Sequence, residues 1–142
     1  MIVWIADSFL LNLTTKLANE IPWQFRLIFF VVCILIALRL INGSHMLVLE
    51  GVDQNQPKVV TEDVYALMRH PMYFAYIVGF IALILLTMSL LSLLPLVIVI
   101  SLLNTIATYE EKELSKILGQ EYIDYMKRVP RWVPNPLKFI KK

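Results

Sequence analysis

The sequence predicts an all-α integral membrane domain of about three transmembrane helices, including a C-terminal helical hairpin, and three observations carry that expectation. Of 142 residues, 58% are hydrophobic and the mean hydropathy is +0.69, whereas ordinary soluble domains hold ~45–50% apolar residues. Residues 72–109 contain no Asp, Glu, Lys or Arg, a stretch long enough for two bilayer crossings at ~20 residues each. The net charge is only +2, yet Lys112, Lys116, Lys127, Arg128, Arg131, Lys138, Lys141 and Lys142 all follow that stretch. Basic residues gathered beside a span are a topology signal, not a nucleic-acid footprint. A single Cys33 excludes an internal disulfide framework and a thiolate-cluster metal site.

Residues 1–19 mix Trp4, Phe9, Leu10, Leu13 and Leu17 with Asp7, Asn12, Thr14, Thr15 and Lys16, which suits an interfacial amphipathic helix better than a span. The opening Met-Ile-Val-Trp-Ile-Ala-Asp has no early Lys or Arg, so it lacks the basic start of a signal peptide and is expected to be retained. Pro22 leads into the first span, residues 23–41, with Arg26 and Arg39 near its two ends to snorkel toward headgroups. Asn42-Gly43-Ser44 offers helix-stop chemistry, so residues 42–68 are expected to form a cytoplasmic loop, polar over 50–63 and carrying Gly51 and Pro57.

Pro71 suits the first turn of a helix because the N–H it lacks has no intrahelical partner there. The second span is therefore placed at residues 71–87, ~25 Å long at ~1.5 Å per residue. Thr87-Met88-Ser89 is the weakest point of the apolar block and the expected reversal, followed by a third span at residues 90–109 with Pro95 kinking its start. One continuous helix through the block would overshoot the bilayer. Residues 110–142 are read as a cytoplasmic helix and tail. Leu114, Leu118, Tyr122, Tyr125 and Val129 recur at helical spacing, and the prolines of Val129-Pro130-Arg131-Trp132-Val133-Pro134-Asn135-Pro136 force an extended segment that places Trp132 at headgroup level. The eight basic residues of this tail, against Lys16 alone before the first span, put the tail and the 42–68 loop in the cytoplasm, with the chain in a cell inner membrane or its equivalent.

A hairpin of this kind sets the N-terminus of the second span beside the C-terminus of the third, so opposite helix-dipole ends share one face. At the positive end, Arg69, His70 and the N–H groups following Pro71 make an anion site. At the negative end, Glu110 and Glu111 make a place for a cation or for hydroxyl and amine donors. A zwitterion matches this pair of poles, and S-adenosylmethionine is one, with an α-carboxylate, an α-ammonium, a sulfonium and a ribose diol. Tyr65, Tyr73, Tyr109 and Trp132 supply faces for adenine or the sulfonium. On spacing alone, Arg69 and His70 also read as positive-inside anchors with Pro71 as a helix starter, and the glutamates as solvated residues opening a surface helix.

Arg69-His70-Pro71-x-Tyr73, then Glu110-Glu111, Leu114, Gly119, Tyr122, Tyr125 and Val129-Pro130-Arg131-Trp132-Val133-Pro134, resemble in order and spacing the isoprenylcysteine carboxyl methyltransferase and phospholipid methyltransferase superfamily. The resemblance covers about residues 65–134. It implies a membrane-embedded methyltransferase (transferase, EC 2.1.1.-) that binds S-adenosylmethionine from the cytosol and moves its methyl group to a lipophilic or prenylated acceptor drawn from the membrane lipids. It also implies roles: Tyr65, His70, Pro71 and Tyr73 line the cofactor pocket, Glu110 and Glu111 hold its polar groups, and Arg131, Glu110 and Arg69 serve the transfer, with no metal. Where family members often carry glycine, this chain has Glu62-Asp63-Val64 before Tyr65 and Ala75 after Tyr73. Ala75 is still small enough for close helix packing. Part of the substrate wall is expected from a second copy of the chain, a homo-oligomer. The rival readings are a phospholipid N-methyltransferase, a non-enzymatic membrane interaction subunit and a reductase, the last lacking a Gly-rich phosphate loop here.

With Cys33 replaced, single thiols introduced at Asn55 and Asn135 should react with an impermeant maleimide from the same side of the membrane. Labelling from opposite sides would remove the hairpin.

Overall fold

Pro22 opens the first helix, its carbonyl accepting hydrogen bonds from the amides of Phe25 and Arg26 at 3.1 and 3.5 Å. The computed structural model describes Asp7, residues 20–51 and residues 58–132. Among these, the elements are α1 (Trp23–Gly51), the single turn α2 (Val64–Leu67), α3 (Pro71–Thr87), a 3-10 turn (Leu90–Ser92) and α4 (Leu93–Arg128), with no strand among the described residues. The region of α1 over Trp23–Ser44 and that over Leu90–Arg128 are long and apolar enough to cross a membrane, and α3 is a shorter apolar helix of 17 residues. The chain is an all-α integral membrane protein. The interfacial helix expected over residues 1–19 lies outside the described residues apart from Asp7, as does the tail beyond Trp132.

Two boundaries differ from the sequence reading. The expected stop at Asn42-Gly43-Ser44 is absent, and α1 continues to Gly51 through what was expected to be loop. Gly43 is there for closeness, not for termination. A Cβ on it would fall 2.8 Å from Arg39 Nη1, 2.9 Å from Val64 Cγ1 and 3.0 Å from Asp63 Oδ2. Ser44, fully buried, turns its hydroxyl back onto the Leu40 carbonyl at 2.7 Å and so stays helical. The second difference lies in α4. The expected kink at Pro95 is not observed, because Pro95 sits in the first turn, where a proline removes no helical hydrogen bond. The dihedral break is at Gly119 (φ 59°, ψ −135°), a backbone conformation open to glycine. The apolar helix and the charged one expected after it are therefore continuous from Leu93 to that glycine.

The chain divides into two compact units, one of Met1–Leu38 with Ala75–Leu103 and the other of Arg39–Phe74 with Asn104–Lys142. In the first, large apolar side chains face outward: Trp23, Ile28, Leu35, Leu94, Val97 and Ile98 are all more than half exposed. The buried positions are small instead, Ala37, Ala75 and Ala82. That inversion is expected where lipid is the solvent and small residues let helices approach. Arg26 Nη1 donates to the Leu86 carbonyl at 3.3 Å, covering an orphan acceptor in the last turn of α3. Beyond it the chain turns through Met88 (φ 51°) at the reversal read from the sequence. The buried Ser89 hydroxyl donates to Asp7 Oδ2 at 2.6 Å, and Ser92 donates to the Ser89 carbonyl.

The second unit has an aromatic core. Tyr122, Tyr125 and Val129 are buried together, with Val59, Leu114, Leu118 and Met126 packed against them. The tyrosine rings lie 5.7 Å apart in a tilted pair, a favourable arrangement for their quadrupoles. The Tyr125 hydroxyl donates to the Tyr65 carbonyl at 2.7 Å, tying α4 to α2. Burial raises both phenols, Tyr122 to about 12, so both stay protonated as donors.

The glycines of α1 and α3 should respond oppositely to a methyl group. Gly79→Ala, with nothing within 4 Å of the new Cβ, should raise thermal stability by ~0.5–1 kcal/mol through helix propensity. Gly43→Ala should lower it by ~1 kcal/mol or more, overpacking outweighing the same gain. Thermal unfolding in detergent measures both, and stabilisation by Gly43→Ala would refute the close approach to Asp63 and Val64.

Candidate active site

The second unit brings the charged residues of the pentapeptide onto α4, and the local sequence explains how. Met68, extended (φ −153°, ψ 153°) and 1% exposed, ends α2 and anchors the chain just before the site. Arg69 and His70 remain non-helical ahead of Pro71, as residues preceding proline tend to be. Their backbone N–H groups donate to the carbonyls of Pro130 and Arg131 at 3.0 and 3.3 Å. The proline-containing exit of α4 thus lies against the start of α3, and Pro71 is fully buried beneath it.

At the centre is Glu111, with a side chain only 9% exposed. His70 Nε2 is 3.1 Å from its Oε1. Arg131 approaches as a fork, Nε donating to Oε1 at 3.1 Å and Nη2 donating to Oε2, the bidentate geometry that makes guanidinium–carboxylate pairs strong. Arg69 Nε lies 3.3 Å from Oε1 as an ion pair, but it is misaligned for a hydrogen bond and is buried without another partner among the described residues. Arg69 Nη1 donates to the Met126 carbonyl at 3.3 Å.

Burial works to raise the Glu111 pKa, yet the hydrogen bond from Arg131, the charge of Arg69 and the bond with His70 prevail and hold it below 4.5. Burial lowers His70 below 6.5, and the adjoining glutamates only partly offset it. At pH 7 the ring is neutral. Because ionised Glu111 accepts only, the proton is assigned to Nε2, which turns the Nδ1 lone pair toward Glu110, 3.6 Å away.

Glu110 differs from its neighbour: its side chain is 45% exposed and accepts a hydrogen bond from the Tyr73 hydroxyl. His70 and Tyr73 stack almost parallel, with centroids 5.4 Å apart, and Trp132 tilts against both at 5.8 and 6.3 Å. Arg69, His70, Tyr73, Glu110, Glu111 and Arg131 are therefore together, as the sequence reading required. Tyr65 stands at the margin on α2, its phenol raised by burial against a hydrogen bond with Ser44 and raised further by the charge of Glu110. Tyr109, 68% exposed, is outside the aromatic stack. The poles are not left open as a matched pair, since Glu111 is already neutralised from three sides and Glu110 is the accessible carboxylate.

Sequence reasoning missed Asn104 and Thr108. Arg131 Nη1 donates to Asn104 Oδ1 at 3.0 Å and to Thr108 Oγ1 at 3.1 Å. Positions 104, 108 and 111 share one helix face, and polar residues at that spacing inside an apolar run were the available signal. The Arg131 guanidinium, to which the resemblance assigns a part in the transfer, is thus bound along α4.

The family model for phospholipid methyltransferase matches residues 48–121, which include α2, α3, the pentapeptide and both glutamates. The chain belongs to the phospholipid methyltransferase family. A relative of this chain, protein-S-isoprenylcysteine O-methyltransferase B of Arabidopsis thaliana, is 32% identical over 78 residues, which make up 54% of this chain and 40% of that protein. No solved structure matches.

The site makes stability pH-dependent. Below pH 6.5 the imidazole of the unfolded chain takes up a proton that folded His70 resists, so acid favours unfolding. Glu111 adds to the same trend below pH 4.5, where unfolded carboxylates protonate first. The midpoint of thermal unfolding should fall between pH 7 and pH 5, and the fall should be shallower in His70→Gln. An unchanged slope in that variant would contradict a neutral, buried His70.

Proposed function

We propose that this chain is an integral membrane methyltransferase that transfers a methyl group from S-adenosylmethionine to a lipophilic acceptor, most like an isoprenylcysteine carboxyl methyltransferase. The observation that carries the reading is the division of labour between the paired glutamates, one sealed by Arg69, His70 and Arg131 and the other half-exposed beside an aromatic stack. When bound, S-adenosylmethionine supplies an electrophilic methyl group on a sulfonium. The donor set fits it. Glu110 offers a carboxylate to an ammonium or a ribose diol, and the Tyr73 and Trp132 rings offer faces to a cation or to adenine.

The chain's own residues then need to align the reactants and exclude water, since charge is dispersed as a methyl leaves a sulfonium for an anion. Trp132 covers His70 and Tyr73. Glu111 fixes the tautomer of His70 and the plane of Arg131, and Arg131 orients a carboxylate acceptor, which requires no general base. An amine acceptor, as in phospholipid N-methylation, requires one; Glu110 and the Nδ1 of neutral His70 are the candidates. The family description favours keeping that second reading. The sidedness is part of the proposal: site and C-terminus face the cytoplasm, where S-adenosylmethionine is found.

Purified protein in detergent, titrated calorimetrically, should bind S-adenosylmethionine and not NADPH. His70→Ala and Glu110→Ala should each weaken that binding by ~1–3 kcal/mol, the cost of a lost charge-assisted hydrogen bond. Wild-type affinity in both variants would sink the assignment. Labelled-methyl transfer should reach prenylcysteine acids in preference to phosphatidylethanolamine, and Arg131→Lys, which keeps charge but loses the fork, should lower turnover with cofactor affinity nearly unchanged.

A further inference from the structure

Asn104 has no evident reason to be where it is. Between Leu93 and Tyr109, α4 is apolar except for Ser101, Asn104, Thr105 and Thr108, and a carboxamide on the surface of such a helix is costly in lipid unless something receives it. Ser101 and Thr108 solve the problem within the helix, donating to the carbonyls of Val97 and Asn104 at 2.9 and 2.8 Å. Asn104 makes no such bond among the described residues and turns its oxygen to Arg131 instead. A guanidinium has no acceptor, so the carboxamide atom facing Arg131 Nη1 at 3.0 Å is the oxygen, and the Nδ2 amino group is directed elsewhere. Asn104 is exposed, and among the described residues Nδ2 has no hydrogen-bond acceptor. Thr108 accepts from the same Nη1 at 3.1 Å while donating to its own helix, so both hydroxyl functions are used. Nε and one Nη2 N–H of Arg131 are committed to Glu111, leaving the second Nη2 N–H. Two uncommitted donors, one of them on a cation, thus sit at the charged end of an apolar helix face.

We propose that Asn104, with Arg131, binds the acid headgroup of the lipophilic acceptor, and that Thr108 is a positioning residue holding the Arg131 guanidinium at that depth. The proposal rests on the methyltransferase reading above. It selects a carboxylate over an amine because every uncommitted group at this spot donates. It also assigns the acceptor's apolar part to the face of α4 at Ile106, more than 40% exposed.

The test turns on Asn104→Asp. That variant keeps an oxygen for Arg131, and as a carboxylate holds it at least as firmly, but it loses the amino donors and sets a negative charge against the headgroup. In labelled-methyl assays on an S-prenylated N-acylcysteine, KM for the acid should rise about tenfold or more while kcat changes less than the KM and calorimetric affinity for S-adenosylmethionine stays at the wild-type value. As competitors, the acid should lose inhibitory strength by the same factor, and its methyl ester, which lacks the charge, should not. Asn104→Ser, which preserves a small polar helix residue, provides the same comparison should the aspartate compromise folding. Thr108→Val should mimic the KM increase and Thr108→Ser should restore it. If Asn104→Asp and Asn104→Ser keep the wild-type KM and the acid-to-ester ratio, Asn104 only anchors Arg131 and the proposal is overturned, with the methyltransferase reading intact. If the wild-type chain binds no S-adenosylmethionine, both fall together.

Discussion

The arrangement depends on one buried carboxylate. Glu111 points inward from α4 with its side chain only 9% exposed, and such a charge is tolerable only with full compensation. Its compensation comes from two stretches of sequence, Arg69 and His70 before α3 and Arg131 in the exit after α4. Each of these partners is anchored again, Arg69 on the Met126 carbonyl, the backbone of Arg69 and His70 on Pro130 and Arg131, and Arg131 on Asn104 and Thr108. Removing one member of such a set leaves the others buried and unpaired, which in other proteins costs about 3–5 kcal/mol. Glu111 is therefore best understood as the group that assembles the site, and Glu110 as the group that the assembled site presents.

Burial in this protein follows membrane logic. Large apolar side chains cover the outside of the first unit, and alanines and serines occupy its inside. Close approach does the work that a bulky core does in water, since lipid offers no hydrophobic drive for helices to associate. The second unit is different, with tyrosines, a valine and a methionine stem packed around a hydroxyl-to-carbonyl bond. A phenol raised by burial remains a donor at any physiological pH, and the fold uses Tyr125 in that way.

The polar stripe Asn104, Thr108, Glu111 runs along a single face of α4 within the second unit. Near Asn104 the neighbour is the exposed Ile106; around Glu111 the neighbours are Arg69, His70 and Arg131. An amphiphile with an acidic head and a long apolar chain has the same gradient. That correspondence, more than any single contact, is the ground on which a lipid-like acid is proposed as the acceptor.

Composition and charge gaps decided much in advance. A block of residues 72–109 without a single charge must be helical in lipid, because only a helix satisfies its own backbone there. Pro22, Pro71 and the weak point at Thr87-Met88-Ser89 mark helix boundaries by local chemistry, and the spacing of the pentapeptide from the paired glutamates marked the site. What the sequence could not reveal were decisions made by distant neighbours. Asn42-Gly43-Ser44 has the residues of a helix stop, yet the approach of Asp63 and Val64 to Gly43 makes that glycine a contact point and lets α1 run on. Pro95 was the expected kink, but it falls in the first turn of α4, and the backbone breaks instead at Gly119. Glu110 and Glu111 are identical in sequence terms. Helical geometry alone, turning adjacent residues about 100° apart, sends one into the guanidinium cluster and leaves the other half-exposed, and the distinct environments of the two carboxylates follow.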